Sequence, residues 1–269
     1  MPLESAMNLL DILSNVTNTG ATIPDGWGQG RATYGGLVAA LMQTHLEKTT
    51  LQGRPLRSAS IHFIGPAAPG EVQFNSELIR SGKSSLQAQC RMLQDGKTVA
   101  MLTATCGEAR ASEIIVPRSI APRVAAPETG QAMPDLPGLV PDFTRRFDFR
   151  WISGGLPFTS SKTANVSGWV RLKESLPEGT LLTPAIIMAY VDAWPPTTLQ
   201  MFTRPAPIST MTWTLDCEVL AESIAADGWW QYEAQTLSCG DGYTVARSQL
   251  WSASGQLVAS SQQHVAGFL

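Results

Sequence analysis

Three side chains in the second half of the chain supply an acid, a hydroxyl and an amide: Asp192, Thr210 and Gln263. Asp192 and Gln263 have neighbours apolar enough to predict a place against a core, and Thr210 opens a strand. A polar group facing a core costs on the order of 1 to 3 kcal/mol unless it is hydrogen-bonded. Asp192 closes the apolar run from Ala185 to Val191. Burial there disfavours the charged carboxylate and raises its pKa. The C-terminal end of a helix adds a further ~0.3 to 1 kcal/mol against the charge. An acid in that setting can take a proton from water, and a hydroxyl and an amide can hold that water or polarise a carbonyl. Gly35-Gly36 opens an apolar helix, lets a carbonyl approach the backbone closely, and exposes helix-start N–H groups suited to an oxyanion. Such a pair can serve an oxyanion, and close helix–sheet packing is its alternative role. There is no GxSxG nucleophile motif. His45, His62 and His264 have no metal-ligand spacing, so no metal is expected.

These residues need elements to hold them. In the first half a helix runs over Tyr34 to Leu46, apolar nearly all round and so buried. Leu86, Ala88, Cys90 and Met92 alternate with polar residues as in a strand, and Asp95-Gly96 turns that strand into Thr98 to Cys106. The second half repeats the plan. Thr183-Pro184 reads as the N-cap and first residue of a helix through Val191, ended by Pro195-Pro196. Strands are predicted over Ser209 to Leu215, Trp229 to Cys239, Thr244 to Ser252 and Leu257 to Val265, with turns at Asp241-Gly242 and Ser254-Gly255. The last hairpins match, DGKTVAMLTAT against SGQLVASSQQH. Each half is thus an antiparallel sheet around one buried helix that comes early in its half. The pattern lacks the strand–helix alternation of a parallel α/β fold.

The repeat exposes what is unusual. Gln263 shares a predicted face with Leu257, Ala259, Ser261 and Val265, where the first half has Ala100, Leu102, Ala104 and Cys106. Gln262 adjoins it, so the site amide is ambiguous by one residue. The position matching Asp192 is Val38 or Leu41, depending on register. Thr210, Thr212 and Thr214 are placed on one face, opposite Ser209, Met211, Trp213 and Leu215, and the match to Thr210 is Leu56 or Ala59. A structural Gln, a helix end reaching water and a plain edge strand would each account for one residue alone. Their confinement to one half points to chemistry.

Composition narrows the class. The chain has 269 residues, 43% apolar and 15% charged, with a net charge of −3. This excludes a disordered chain and offers no basic excess for nucleic acid or an anionic membrane. No apolar run reaches the ~20 residues of a membrane span, and MPLESAMNLL lacks a signal-peptide pattern. Cys90, Cys106, Cys217 and Cys239 form no CxxC pair and are expected to be buried free thiols, consistent with a cytoplasmic protein. Arg31, Arg54, Arg57 and Lys83 are basic enough to meet phosphates but read first as surface charges, and the late tryptophans read as core. Residues 117–141 hold six of the 18 prolines, which excludes a continuous helix or a central strand there. The expected organisation is an N-terminal unit 1–115, a proline-rich connector 116–145 and a C-terminal unit 146–269.

The ordered set TYGGLVAALMQ, SIHFIGPAAPGEV, SGKSSLQAQCRMLQDGKTVAMLTAT, AYVDAW, STMTWTL and GQLVASSQQHVAG resembles the double hot-dog acyl-CoA thioesterases of the thioesterase II type. The resemblance covers both halves and lapses in the connector. It implies an α+β fold of two tandem hot-dog domains, each an antiparallel sheet wrapped around a central helix. It also implies hydrolysis of an acyl-CoA to a carboxylic acid and coenzyme A, a part in fatty acid metabolism, and water activated by Asp192, Thr210 and Gln263. Since helix starts of one unit face the acid of the other in related hot-dog enzymes, it makes Gly36 the candidate oxyanion donor. Family members often carry an acid two positions after the Thr, where this chain has Thr212. No cofactor is implied beyond the coenzyme A of the substrate, and a homodimer is compatible. The alternatives are a non-catalytic acyl-CoA-binding protein and an enoyl-CoA hydratase. The latter is disfavoured because no His follows closely on Asp192.

Overall fold

The structure is a computed structural model that describes residues 7–267 except Pro137, Leu139 and Ala221. Residues 1–6 of the segment read for a signal peptide, and Pro137 of the connector, lie outside the described residues. The first half runs α1 (Leu9–Ser14), β1 (Gly20–Ile23), β2 (Gly28–Gln29), β3 (Ala32–Thr33), α2 (Gly35–Thr49), β4 (Leu56–Phe63), β5 (Gly70–Ser81), β6 (Ser85–Gln94) and β7 (Lys97–Gly107). The second runs β8 (Gln131–Ala132), β9 (Phe147–Ser153), β10 (Asn165–Leu172), α3 (Pro184–Val191), β11 (Ile208–Cys217), β12 (Trp230–Gly240), β13 (Tyr243–Trp251) and β14 (Leu257–Gly267).

Local sequence explains the elements that frame the site. Thr183 caps α3, its hydroxyl accepting from the Ile186 amide at 3.3 Å, with Pro184 at the first helical position, where it loses no hydrogen bond. Asp95-Gly96 and Asp241-Gly242 both take positive φ, as tight hairpins between right-twisted strands require. α3 follows β8 to β10 as α2 follows β1 to β3, and four long strands come after each helix, so the two helices hold matching places in their halves. The alternation Phe147, Phe149, Trp151 is the sequence signal for β9, and all three are buried.

Twelve of the fourteen described strands form one continuous sheet, in the order β1-β5-β6-β7-β4-β11-β14-β13-β12-β10-β9-β8, and β2 pairs with β3 apart from it. The halves join through β4 and β11, antiparallel from Thr212 opposite His62 to Asp216 opposite Ser58. Pairing these edges satisfies backbone groups that each half alone would leave open. The helices α2 and α3 pack on each other against this sheet, and the Tyr34 hydroxyl at the start of α2 donates to the Ala189 carbonyl of α3. Among its described residues the proline-rich segment holds no helix longer than the 3-10 turns Pro127–Thr129 and Asp142–Arg146. It is pinned to the second half by Trp169 Nε1 donating to Ala125 O and Gln231 Nε2 donating to Pro122 O, each at 2.8 Å. Cys90, Cys106 and Cys217 are buried free thiols as expected, but Cys239 is exposed. It lies near the β12–β13 turn, where the end of the strand projects beyond the core.

Candidate active site

Asp192 is the C-cap of α3, but its carboxylate meets the other helix. Gly35 and Gly36 form the first turn of α2, whose N-cap Tyr34 makes no side-chain capping bond. Asp192 fills that role from outside, with the Gly36 amide directed at its carboxylate. The positive end of α2 therefore offsets the negative end of α3. A Cβ on Gly35 would stand 2.9 Å from Asp192 Oδ2 and 3.0 Å from Phe63 Cζ, and one on Gly36 would overlap the Tyr34 ring. Both glycines are thus required for close approach, one to the acid and one to the aromatic ring beside it.

Gln263 Nε2 donates to Asp192 Oδ1 at 2.7 Å. Gln262 is exposed, so the amide at the acid is Gln263. Asp192 keeps some accessible surface, although protein surrounds its carboxylate. Burial pushes the carboxyl up to about 7, against the pull of the Gln263 side chain and then the Gly36 amide. Tyr34 and Tyr232, which sequence periodicity does not single out, flank the acid. Burial, and then the Asp192 charge, push the Tyr34 phenol up. A tyrosine directly before a Gly-Gly helix start is the one available sequence signal for it.

Thr210 reaches this side of the sheet by a route that periodicity could not predict. A bulge at Met211 shifts the register of β11 against β14, so that Thr210 pairs with Val265, Thr212 with His264 and Trp213 with Gln263. Cross-strand partners share a face, which puts Thr210 on the face of Val265, Gln263 and Trp213. The expected grouping of Thr210 with Thr212 and Thr214, opposite Trp213, is corrected by this extra residue. Thr210 is half-buried, and its hydroxyl has no hydrogen bond to Asp192 or Gln263 among the described residues.

The same bulge settles the repeat. It recurs at Arg57 in β4, which aligns Thr210 with Leu56 and Trp213 with Ala59. Counting from the N-caps Tyr34 and Thr183 aligns Asp192 with Gln43, not Val38 or Leu41, and Trp194 with His45. Ring contacts agree: His45 packs on Phe74 at 4.8 Å, and Trp194 stacks on Tyr232 at 5.1 Å. The first half thus holds Gln43, Leu56 and Ala104 where the second holds Asp192, Thr210 and Gln263, and Pro184 stands where Gly35 does. One acid faces one open helix start.

The histidines stand apart. His45 is buried, with its ring nitrogens 3.2 Å from Thr17 O and 3.1 Å from Ser76 Oγ, while His62 and His264 are exposed. Arg54 donates to Gly82 O and Ser85 O, and Arg57 to Gly107 O. Among the described residues no group of acids, histidines and cysteines gathers as a metal site would require, and no helix is long and apolar enough to cross a membrane.

Two sheet units fused through β4 and β11, each with a helix against its inner face, define a double hot-dog protein. Solved structures agree on the fold. A hot dog-fold protein of unknown function from Alicyclobacillus acidocaldarius is 20% identical, with a TM-score of 0.82 over 96% of this chain and 98% of that one. A putative thioesterase II from Thermobifida fusca is 18% identical, with a TM-score of 0.81 over 99% of both chains. The tesB protein of Mycobacterium avium subsp. paratuberculosis is 16% identical, with a TM-score of 0.78 over 97% and 98%. No curated protein matches by sequence. The family models for the acyl-CoA thioesterase N-terminal and C-terminal domains match residues 23–107 and 127–266. The chain belongs to the acyl-CoA thioesterase family and is a thioester hydrolase with an acyl-CoA substrate.

Proposed function

We propose that Asp192 is the general base that activates water for attack on the thioester, with Gln263 and Thr210 positioning the reactants. The carrying observation is the enclosed Asp192 carboxylate, held by Gln263 at 2.7 Å against the N-terminus of α2. A carboxyl near 7 suits this task, because it can both accept and return a proton at neutral pH. Water attacks the carbonyl carbon while its proton passes to Asp192. Negative charge leaves the carboxylate as it appears on the thioester oxygen, so the Gly36 amide and the dipole of α2 become available to the oxyanion. The tetrahedral intermediate then expels coenzyme A sulfur, which recovers the proton from Asp192. No covalent acyl-enzyme, metal or further cofactor enters this scheme.

The units 1–115 and 146–269, joined by the connector 116–145, form one working pair on this reading: the first lends the helix start and the second the acid. The protein acts in the cytoplasm on acyl-CoAs of fatty acid metabolism, and a homodimer is compatible with the proposal. The test is thiol release from acyl-CoAs of graded chain length by the wild type and Asp192→Ala. Hydrolysis abolished in a folded variant supports the assignment, and full turnover by the variant refutes it. Binding without thiol release identifies a carrier, and water addition without thiol release a hydratase.

A further inference from the structure

The inner face of the second half carries a lane of buried hydroxyls that the scheme above does not use. Ser261 shares the face of Gln263 on β14, and Ser248 lies directly opposite it on β13, with the two oxygens 2.7 Å apart. Tyr232 on β12 pairs with Leu250, one diagonal step from Ser248, whose hydroxyl bonds the phenol. All three are buried.

The repeat shows that the fold does not need these hydroxyls. Cys90 pairs with Leu102 as Ser248 pairs with Ser261, and Phe74 pairs with Met92 as Tyr232 pairs with Leu250. The first half therefore builds the same face from Phe74, Cys90 and Leu102, all buried. Proton counting leaves a surplus as well. Three hydroxyls bring three protons, two internal bonds use two, and one donor and several lone pairs remain.

We propose that Tyr232, Ser248 and Ser261 select short acyl groups that carry a hydroxyl on their first few carbons, over plain alkyl groups of the same length. The inference rests on the site proposed at Asp192. Same-face residues of a strand are about 7 Å apart and neighbouring strands about 4.8 Å. The lane thus begins one such step from Gln263, within reach of the carbons next to a thioester held at the acid. Its far end is closed by Trp194, stacked on Tyr232 and 4.5 Å from Trp151 between ring centres, which limits the length admitted. Gly168 makes room for that wall, since a Cβ there would stand 2.6 Å from Trp194 Cη2.

The test compares 3-hydroxybutyryl-CoA with butyryl-CoA on the wild type, Tyr232→Phe and Ser248→Cys. Each variant borrows the residue of the other half and keeps nearly the same volume. The wild type is expected to favour the hydroxylated substrate by at least about tenfold in kcat/KM, and each variant to lose most of that ratio. Butyryl-CoA turnover stays within about threefold in Ser248→Cys, the variant away from the acid, and Tyr232→Phe is read by the ratio alone. A wild-type ratio of one or below, or a ratio that neither variant moves, overturns the proposal. Binding of the matching non-hydrolysable thioether analogues is measured alongside and reads selection without turnover. Absent thiol release refutes the hydrolytic site, whereas equal binding of the two analogues refutes the lane.

Discussion

Replacing Asp192 with Asn separates the cost of the carboxylate from its use. The side chains are nearly isosteric, and an Asn can still meet both the Gly36 amide and a turned Gln263 amide. The wild-type carboxyl is lifted from 3.8 to about 7, chiefly by burial. At 1.36 kcal/mol per pH unit that corresponds to about 4 kcal/mol, or about 2 to 4 kcal/mol once the fold relaxes around the charge. A carboxyl lifted in this way holds its proton more tightly in the folded than in the unfolded chain. Its contribution to stability is therefore full below pH 3.8 and is lost as the pH climbs to about 7. The carboxamide of Asp192→Asn has no proton to lose, so the variant should match the wild type below pH 3.8, exceed it by roughly a third of the full difference at pH 5, and show the full gain above pH 8. For a chain of this size the gain is roughly 5 to 10 °C in Tm. Thiol release should fall by about a hundredfold to ten-thousandfold above pH 7, and by less at pH 5, where the wild-type carboxyl is itself largely protonated. Melting curves at pH 5, 7 and 9, with thiol release on the same samples, check both halves of the prediction. A Tm difference that does not change with pH, or a variant that keeps its turnover, would refute the reasoning.

Wild-type kcat/KM should rise with pH and level off above about 7, as Asp192 loses its proton; a profile flat from pH 5 to 9 contradicts a base of that strength. Gly35→Ala should cut activity at least about tenfold by displacing Asp192 Oδ2, while the helix gains from Ala, so melting should show a Tm held within a few degrees. Gln263→Ala removes a bond that holds the Asp192 carboxyl down, so the rising limb should move to higher pH, whereas Gln262→Ala on the exposed face should leave it in place. Thr210→Val keeps shape and removes the hydroxyl; kcat should fall roughly tenfold with unchanged melting, and an unaltered kcat takes Thr210 out of the scheme.

Much of this site was legible in the sequence because the chain contains its own control. The two matched hairpins, one ending in MLTAT and the other in SSQQH, differ where Ala104 answers to Gln263, and a polar residue against an apolar template needs an explanation. Capping chemistry at Thr183-Pro184 located α3, and Asp-Gly turns located the hairpins, because those signals act over a few residues. Cys239 failed for the complementary reason: an apolar neighbourhood in sequence does not say how far a strand runs past the core. The match to Asp192 also failed, since two apolar helices look alike at any register until their caps and ring contacts are seen.

By itself the sequence determined that there are two like units, that each has an antiparallel sheet and a buried helix, and that Asp192, Thr210 and Gln263 are the anomalies. Those are matters of period, turn chemistry and residue type. Only the tertiary structure decided that Thr210 faces with Gln263, because an unpaired residue at Met211 reverses the strand's phase and is defined only against its partner strand. Only it decided that the acid of one helix caps the other. That contact exists because β4 pairs with β11 and sets α2 beside α3, and no local signal in either half encodes the pairing.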